Sequence, residues 1–189
     1  MYNDSVDFVV KSIQKSSLVN LNGLIYQQYE DFFDKDLLNL LSFEANEVEL
    51  KKFALQHNRN RMSVSHNEKV MKHITIFFRN QKIKKAIEQI FGLKLGVASV
   101  DIWFDGYDYN LEPHTDFNTI QLSLQIYLGE ERNKGTCLFD QDGKIIGTFP
   151  YKKNCGYSLL NNAESLHGTE PSTSQVNNLR KSIYVRWKK

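Results

Sequence analysis

From Gly96 onward the sequence alternates short runs rich in Val, Ile, Tyr, Phe and Thr with clusters of Gly, Asn and Asp. Such runs are typical of β-strands, and such clusters are typical of turns. They predict six strands, over residues 97–104, 118–128, 136–139, 144–149, 156–160 and 179–187. The Asp142-Gly143 pair favours a hairpin, because glycine accepts the positive φ that tight turns require. Many short strands favour an antiparallel sandwich or barrel.

The residues before Gly96 show a helical pattern instead. Between residues 34 and 56, apolar side chains recur among acids and lysines, which predicts one or two amphipathic helices that begin at Asp34 or Asp36. A second helical stretch runs from Asn80, a suitable N-cap, to Gly92, which can end a helix in the left-handed conformation. Helices followed by strands predict an α+β chain. For the first two dozen residues the pattern leaves open whether they dock on the core.

Composition favours one folded domain over residues 1–189. A hydrophobic fraction of 41% with 24% charged residues differs from the composition of disordered chains. The net charge of +2 is too small to indicate a nucleic-acid-binding surface. No run is apolar enough for a membrane span or a signal-peptide core. Cys137 and Cys155 lack the spacing of metal ligands, so we expect them to be reduced and packed, and the protein to be cytoplasmic.

The chemically distinctive passage is His114-Thr115-Asp116, which a second histidine, His167, follows much later in the chain. Residues two apart in an extended segment point the same way, so His114 and Asp116 can reach one ion. Two imidazoles and one carboxylate can occupy one face of an octahedral Fe(II) and leave three positions open. We therefore predict a metal site made of His114, Asp116 and His167.

The last predicted strand carries a further pair of polar residues, Arg180 and Ser182. An arginine is a planar, bidentate donor for a carboxylate, and the serine lies on the same face of the strand. This pair could hold the far carboxylate of a dicarboxylic acid.

The order His-x-Asp, distant His and Arg-x-Ser resembles that of the Fe(II)/2-oxoglutarate-dependent dioxygenases, most closely their prolyl-hydroxylase-like branch. The resemblance covers roughly residues 96–188 and includes the segments Ile-Trp-Phe-Asp-Gly at 102–106, Ser-Leu-Gln-Ile-Tyr-Leu at 123–128 and Gly-Thr-Cys-Leu-Phe at 135–139. It implies a double-stranded β-helix, or jelly roll, over residues 96–188, with residues 1–95 as mainly helical support.

The resemblance also implies a reaction. Fe(II) would be the cofactor, with 2-oxoglutarate and O2 as co-substrates, and Tyr127 would direct its hydroxyl at the carboxylate that Arg180 binds. The products would be succinate, CO2 and a substrate hydroxylated at a C–H bond, on a peptide side chain or a small molecule.

The sequence departs from the prolyl hydroxylases in two places. Phe104 stands where related chains often have a tyrosine, so a hydrogen bond from that slot would come from elsewhere, for example from Tyr107 or Tyr109. Residues 134–136 read Lys-Gly-Thr where prolyl hydroxylases commonly have Gly-Gly-Glu. Both departures leave the substrate open.

Two other functions remain open. Arg180 and Arg186 form Arg-x5-Arg, a spacing that resembles the nucleic-acid demethylases of the same superfamily, and both would lie on one face of a strand. The second alternative is a non-enzymic jelly-roll module that binds a ligand. The complete ligand set together with Arg180 favours an enzyme.

The remaining candidates favour structural roles. We expect His57, His66 and His73 to lie at the surface, and Trp103 and Trp187 to lie in the core or the pocket wall. Residues 56–65, with arginines at 59 and 61, are polar and could cover the site, but the pattern favours a solvated connection.

Overall fold

A computed structural model describes residues 2–46, 50–52, 61–106, 109–129, 135–169 and 180–189, with only the backbone for residues 43–46 and 50–52. These residues form four helices: α1 (Tyr2–Lys15), α2 (Lys35–Asn46), α3 (Lys69–Phe78) and α4 (Gln81–Phe91). They also form twelve strands: β1 (Leu18–Leu21), β2 (Leu24–Tyr29), β3 (Leu50–Lys52), β4 (Arg61–Val64), β5 (Ala98–Asp105), β6 (Leu111–His114), β7 (Ile120–Tyr127), β8 (Thr136–Phe139), β9 (Ile145–Phe149), β10 (Gly156–Leu160), β11 (His167–Thr169) and β12 (Arg180–Lys188).

The strands form two antiparallel sheets. The larger has the order β1-β2-β10-β7-β12-β5-β4-β3, and the smaller has the order β6-β11-β8-β9. Residues of both sheets line one cavity between them. This arrangement of a large and a small sheet confirms the α+β prediction and the antiparallel sandwich.

The central strands of the large sheet have one apolar and one polar face, as the period-2 geometry of a strand requires. On β12 the outward residues are fully buried under the helices: Ile183, Val185 and Trp187. The inward residues are polar: Arg180, Ser182, Tyr184 and Arg186. Strands β5 and β7 pair with β12 on either side. The same alternation therefore builds both a core and a polar cavity.

The helices cover the outward face of the large sheet. In α1 the residues Val6, Val9 and Ile13 recur at helical spacing and are at most 1% exposed. The N-terminal segment therefore docks on the core, which settles a point that its composition left open. No helix in the described ranges combines the length and the apolar character that a membrane-spanning helix requires.

A buried glutamine ties the end of α1 to the sheet. The Gln27 amide nitrogen donates to the backbone oxygens of Ile13 (3.1 Å) and Ser16 (2.7 Å). The Tyr29 hydroxyl donates to the Gln27 side-chain oxygen at 2.8 Å. Carbonyls at a helix C-terminus lack partners within the helix, and here a side chain from β2 satisfies two of them.

The predicted helix boundaries are confirmed at three points. Asp34 accepts the backbone N–H groups of Asp36 and Leu37 at 3.0 Å each, as an N-cap of α2 does. Asn80 caps α4, and Gly92 ends that helix with φ 66°. The sequence pattern had not indicated α3, which precedes Asn80.

One helical prediction is wrong. The helical pattern was extended to residue 56, but Leu50–Lys52 form β3, which pairs with β4 at the edge of the large sheet. Residues 61–64 likewise form β4 instead of a solvated connection, whereas residues 56–60 lie outside the described residues. In both cases sheet pairing overrides the local pattern, since β4 pairs with β5 and β3 pairs with β4.

The predicted strands are confirmed. The bounds of β8 and β10 agree with the prediction, and those of β5, β7, β9 and β12 differ by one or two residues. Gly143 has φ 77° in the hairpin between β8 and β9. Cys137 and Cys155 are reduced and buried, as expected.

Candidate active site

The small sheet brings the two predicted histidine ligands together. His114 ends β6 and His167 begins β11, and the two residues are direct partners in the antiparallel register. Their ring centroids are 4.5 Å apart. One ligand atom from each of His114, Asp116 and His167 lies within 4.8 Å of the other two. These three residues can therefore coordinate one metal ion.

A glycine permits the close approach of the strands that carry these histidines. A Cβ atom at Gly168 would collide with the backbone oxygen of Leu111 on β6. Only a residue without a side chain lets β11 lie this near to β6. The spacing between the two imidazoles thus depends on Gly168.

Backbone carbonyls fix the orientation of both imidazoles. The Nδ1 atom of His114 lies 2.9 Å from the Glu112 oxygen, and that of His167 lies 2.9 Å from the Ser165 oxygen. Because a carbonyl only accepts, each Nδ1 carries the hydrogen, and in a neutral ring Nε2 then carries the lone pair. This tautomer is the one that metal-ligating histidines use when the second nitrogen is held by a backbone carbonyl.

The third predicted ligand, Asp116, is held by Tyr184 on the large sheet and by Asn161, which follows β10. The Tyr184 hydroxyl lies 2.8 and 2.9 Å from the two carboxylate oxygens. Burial raises the pKa of Tyr184, and the negative charge of Asp116 raises it further, so the hydroxyl stays protonated as a donor. Asn161 donates to the backbone oxygens of Asp116, Phe117 and Ile120 and shapes the loop that follows the ligand.

The triad opens into a cavity of about 160 Å³ between the sheets. Arg180, only 6% exposed, lines the same cavity. Its Nη2 donates to the Thr136 hydroxyl at 3.0 Å and lies 3.5 Å from the Tyr127 hydroxyl. Burial lowers the pKa of Arg180, but the oxygens of Tyr127 and Asp105 raise it by more, so the guanidinium remains charged. A buried cation thus shares a cavity with the three predicted metal ligands.

Solved structures share this architecture. A prolyl-4-hydroxylase from Pseudomonas putida superposes with a TM-score of 0.68 at 16% identity, over 97% of this chain and 98% of that chain. An oxidoreductase of the 2OG-Fe(II) oxygenase family from Burkholderia pseudomallei gives a TM-score of 0.68 at 12% identity, over 97% of this chain and 89% of that chain. The chain has the fold of the 2OG-Fe(II) oxygenases.

A third oxygenase structure has the same fold at lower similarity. It is a prolyl hydroxylase from Trichoplax adhaerens in complex with a peptide fragment of the hypoxia inducible factor oxygen degradation domain. Its TM-score is 0.61 at 9% identity, over 97% of this chain and 88% of that chain. Neither a protein-family model nor a curated protein matches this sequence. The predicted double-stranded β-helix is confirmed by these structures.

Ser182 and Tyr127, which were predicted to bind the co-substrate, form hydrogen bonds to side chains that line the cavity. The Ser182 hydroxyl, fully buried, accepts from Gln125 at 2.9 Å. The Tyr127 hydroxyl contacts Thr136 at 2.9 Å. Gln125 and Thr136 then line the cavity, together with Tyr157. Burial raises the pKa of Tyr157, whose hydroxyl donates to Gln125 at 2.8 Å.

Strand β5 carries Phe104, one of the two departures from the prolyl-hydroxylase pattern. Phe104 packs in the core under the helices, whereas its neighbour Trp103 lines the cavity. Tyr109 is buried, with its ring 4.4 Å from the Arg61 guanidinium carbon. Tyr107 lies outside the described residues. Trp187 is fully buried in the core, so both tryptophans have the predicted kind of environment.

The other histidines lie away from the triad where they are described. His66 and His73 are exposed, and the His66 Nε2 atom lies 3.8 Å from Asp101. His57 lies outside the described residues. Arg186 lines the cavity with Arg180, as their spacing predicted, and forms an ion pair with Asp101.

Sequence reasoning gave no role to several polar residues of the cavity, among them Gln125, Thr136, Tyr157 and Tyr184, and it favoured a solvated connection for the segment with Arg61. Tyr184 could have been found, because it follows Ser182 by two residues on the same strand face. The signal for Arg61 was weaker and indirect. Asp105 lies on a strand with buried surroundings, and a buried acid requires a cationic partner. No local signal marks Gln125 or Thr136, since their place depends on which strands become neighbours.

Proposed function

We propose that the protein is an Fe(II)- and 2-oxoglutarate-dependent oxygenase, acting as one domain, that hydroxylates a C–H bond of a peptide side chain or a small molecule. One observation carries this proposal: the ligand atoms of His114, Asp116 and His167 lie within 4.8 Å of one another in the cavity that the buried Arg180 also lines. Two imidazoles and one carboxylate are the donor set of non-haem Fe(II) oxygenases.

The side chains fit this metal and this co-substrate. Both histidines present an Nε2 lone pair, and Asp116 supplies a carboxylate whose orientation Tyr184 holds. Arg180, with its charge retained in a buried place, would bind the distal carboxylate of 2-oxoglutarate, and the Thr136 hydroxyl beside it could add a hydrogen bond. Bound iron and 2-oxoglutarate would supply the oxidising power for hydroxylation, with succinate and CO2 as co-products.

The substrate class rests on a comparison. The prolyl hydroxylase of Trichoplax adhaerens is in complex with a peptide fragment, which supports a peptide side chain as substrate for this chain as well. The cavity mouth includes Phe117, which is 79% exposed, and Trp103 lies in its wall. An exposed aromatic ring at the mouth suits an apolar part of such a substrate.

The two alternative functions have less support. Arg186 faces the cavity, but its guanidinium already forms an ion pair with Asp101 and donates a hydrogen bond to the Ser99 hydroxyl at 3.3 Å. A demethylase acting on nucleic acid would bind single strands tightly and in a salt-sensitive way. A non-enzymic module would have no need for both a complete ligand set and a buried arginine beside it.

Anaerobic titration tests the proposed function. Fe(II) and then 2-oxoglutarate are added to metal-free protein, and the weak visible charge-transfer absorption of the chelate is followed. We expect the band in the parent protein and its loss or weakening in Asp116→Ala and in Arg180→Ala. Arg79→Gln, which alters an exposed arginine on the helical side, is the matched control and should retain the band. A well-folded parent without a band would favour the binding-module alternative.

A further inference from the structure

A buried carboxylate lies between two arginines at the wall of the cavity. The Asp105 side chain is 0% exposed. Its Oδ1 accepts from the Arg61 Nε at 2.6 Å, and its Oδ2 accepts from the Arg61 Nη2 at 3.1 Å and from the Arg180 Nη1 at 3.2 Å. One anion therefore has two cationic partners, and the group of three carries a net charge of one positive unit.

Arg61 is held firmly in this position. It lies on β4 directly opposite Asp105 in the antiparallel register. Its guanidinium carbon lies 4.7 Å from the centre of the Trp103 ring and 4.4 Å from that of the Tyr109 ring. Burial lowers the pKa of Arg61, but Asp105 and Tyr109 together raise it by more, so the side chain is charged. Its side chain is only 16% exposed, so water screens this ion pair less than it screens a surface pair.

The charge of Asp105 bears directly on Arg180. If Arg180 were the sole partner of Asp105, the two charges would cancel. A carboxylate approaching Arg180 would then meet a neutral ion pair in which Asp105 already binds the guanidinium. With Arg61 present, the cluster keeps one positive charge, which a single incoming carboxylate would neutralise. In a buried site the match between net charge and ligand charge matters, because solvent compensates little of a mismatch.

We propose that Arg61 is a positioning residue for 2-oxoglutarate: it neutralises Asp105, so that Arg180 keeps its positive charge for the distal carboxylate of the co-substrate. This inference rests on the proposed function, since it takes 2-oxoglutarate as the ligand of Arg180. It assigns a role in co-substrate binding to β4, the strand next to the edge of the large sheet, which lies outside the segment 96–188 whose sequence motifs resemble the oxygenases.

Arg61 also lines the cavity, so it could instead touch the co-substrate itself. The two roles predict different behaviour in a double variant. If Arg61 acts by neutralising Asp105, removing both charges restores the net charge of the cluster and with it the binding. If Arg61 contacts the co-substrate directly, removing Asp105 as well restores nothing.

The experiment measures binding of two ligands to protein loaded with Mn(II). One ligand is 2-oxoglutarate, and the other is 2-oxopentanoate, which has a methyl group in place of the distal carboxylate. The parent is compared with Arg61→Gln, Arg61→Lys, Asp105→Asn and the double variant Arg61→Gln/Asp105→Asn. Arg79→Gln is the control for loss of an arginine outside the cavity.

We expect Arg61→Gln to weaken 2-oxoglutarate binding about tenfold or more, because unit charges a few ångströms apart interact strongly at the effective dielectric of a protein interior. Arg61→Lys, Asp105→Asn and the double variant should bind it within about threefold of the parent or more tightly. Binding of 2-oxopentanoate should be the same in the parent and in Arg61→Gln, since this ligand has no distal charge. That result also shows that the variant is folded and holds its metal.

Three outcomes would overturn the inference. Equal 2-oxoglutarate affinity in the parent and Arg61→Gln would mean that Asp105 does not compete for Arg180. A double variant as weak as Arg61→Gln would mean that Arg61 acts by direct contact or that Asp105 is needed to orient Arg180. Equal weakening of both ligands in Arg61→Gln would indicate a general structural role. A parent that binds metal but no 2-oxoglutarate would instead refute the proposed function, and this inference with it.

Discussion

The Tyr184 hydroxyl lies within hydrogen-bond distance of both carboxylate oxygens of Asp116. A phenol has one hydrogen to donate, so at any moment it binds one oxygen and leaves the other available to a metal. The contact joins β12, in the middle of the large sheet, to the loop that follows β6 in the small sheet. The ligand set is therefore held together across both sheets.

Tyr184→Phe is expected to weaken metal binding while the fold is retained. Loss of partners that orient metal ligands typically lowers affinity about 10- to 100-fold. Anaerobic calorimetry with Fe(II) or Mn(II) alone measures this effect without reference to turnover. Tyr26→Phe is a matched control, since Tyr26 packs against Phe149 at 5.1 Å between ring centroids, away from Asp116. Equal metal affinities in all three proteins would show that Asp116 is oriented by other contacts.

Gly168→Ala is expected to lower both stability and metal affinity. The new methyl group would collide with the backbone oxygen of Leu111, so β11 and β6 would separate and carry His167 and His114 apart. Gly147→Ala in the same sheet is the control, because its methyl group would meet Leu138 at an ordinary contact distance of 3.5 Å. Thermal unfolding and metal titration distinguish the two variants, and similar behaviour of both would count against the close-approach argument.

Gln27→Leu is expected to destabilise the protein by about 2 kcal/mol or more, because it leaves two carbonyls at the end of α1 without a buried partner. It also removes one of the two hydrogen bonds of the Tyr29 hydroxyl, which keeps its contact with the Ser158 hydroxyl at 2.7 Å. The neighbouring residue Gln28 is exposed, so Gln28→Leu should change the free energy of unfolding by less than about 0.5 kcal/mol. Denaturant unfolding measures both values. If the two variants were equally stable, the docking of α1 would not depend on this amide.

Stability is expected to fall at alkaline pH because buried tyrosines resist ionisation. Burial raises the pKa of Tyr151 to about 12, whereas an unfolded tyrosine ionises near 10. Below pH 10 both states are protonated. Between pH 10 and 12 only the unfolded state loses the proton, which favours unfolding by about 1.4 kcal/mol per pH unit.

Tyr151→Phe should make this decline shallower, since the substituted ring has no proton to lose. The variant also loses the hydrogen bond from the Lys181 backbone N–H at 2.8 Å, so it should start from a lower stability at neutral pH. Urea unfolding at several values between pH 9 and 11 gives the slope for both proteins. Identical slopes would show that Tyr151 ionises in the folded state as readily as in the unfolded one.

Sequence patterns predicted the helix caps and the strands whose signal lies within a few consecutive residues. The strands after Gly96 with several apolar residues were found, as were the caps of α4, whereas β1 and β2 were not predicted. Strands β6 and β11 were missed because they are short and carry almost no apolar residues, whereas the equally short β8 is rich in them. They are strands because they pair with each other and with β8. Their pairing is also what brings the two histidine ligands together.

The same distinction applies to the candidate site. His114, Asp116, His167 and Arg180 were predicted because their spacing is itself a pattern, and the structure brings all four to one cavity. Arg61 reaches the cavity because β4 pairs with β5, and Thr136 reaches it on β8, which pairs with β11. No window of sequence contains both partners of the Arg61–Asp105 pair, so tertiary pairing alone reveals it.

Strand β12 lies between β7 and β5, both of which precede it in the chain. A chain that grows from its N-terminus must therefore keep a gap between β5 and β7, with two rows of unpaired backbone groups, until residues 180–188 have been made. Such late, long-range pairing slows folding and exposes edges that can associate with other chains. Since β12 also supplies Arg180 and Tyr184, the last event that closes the sheet is the one that completes the site. Under the proposed function, a newly made chain would bind metal and co-substrate fully only once its core is sealed.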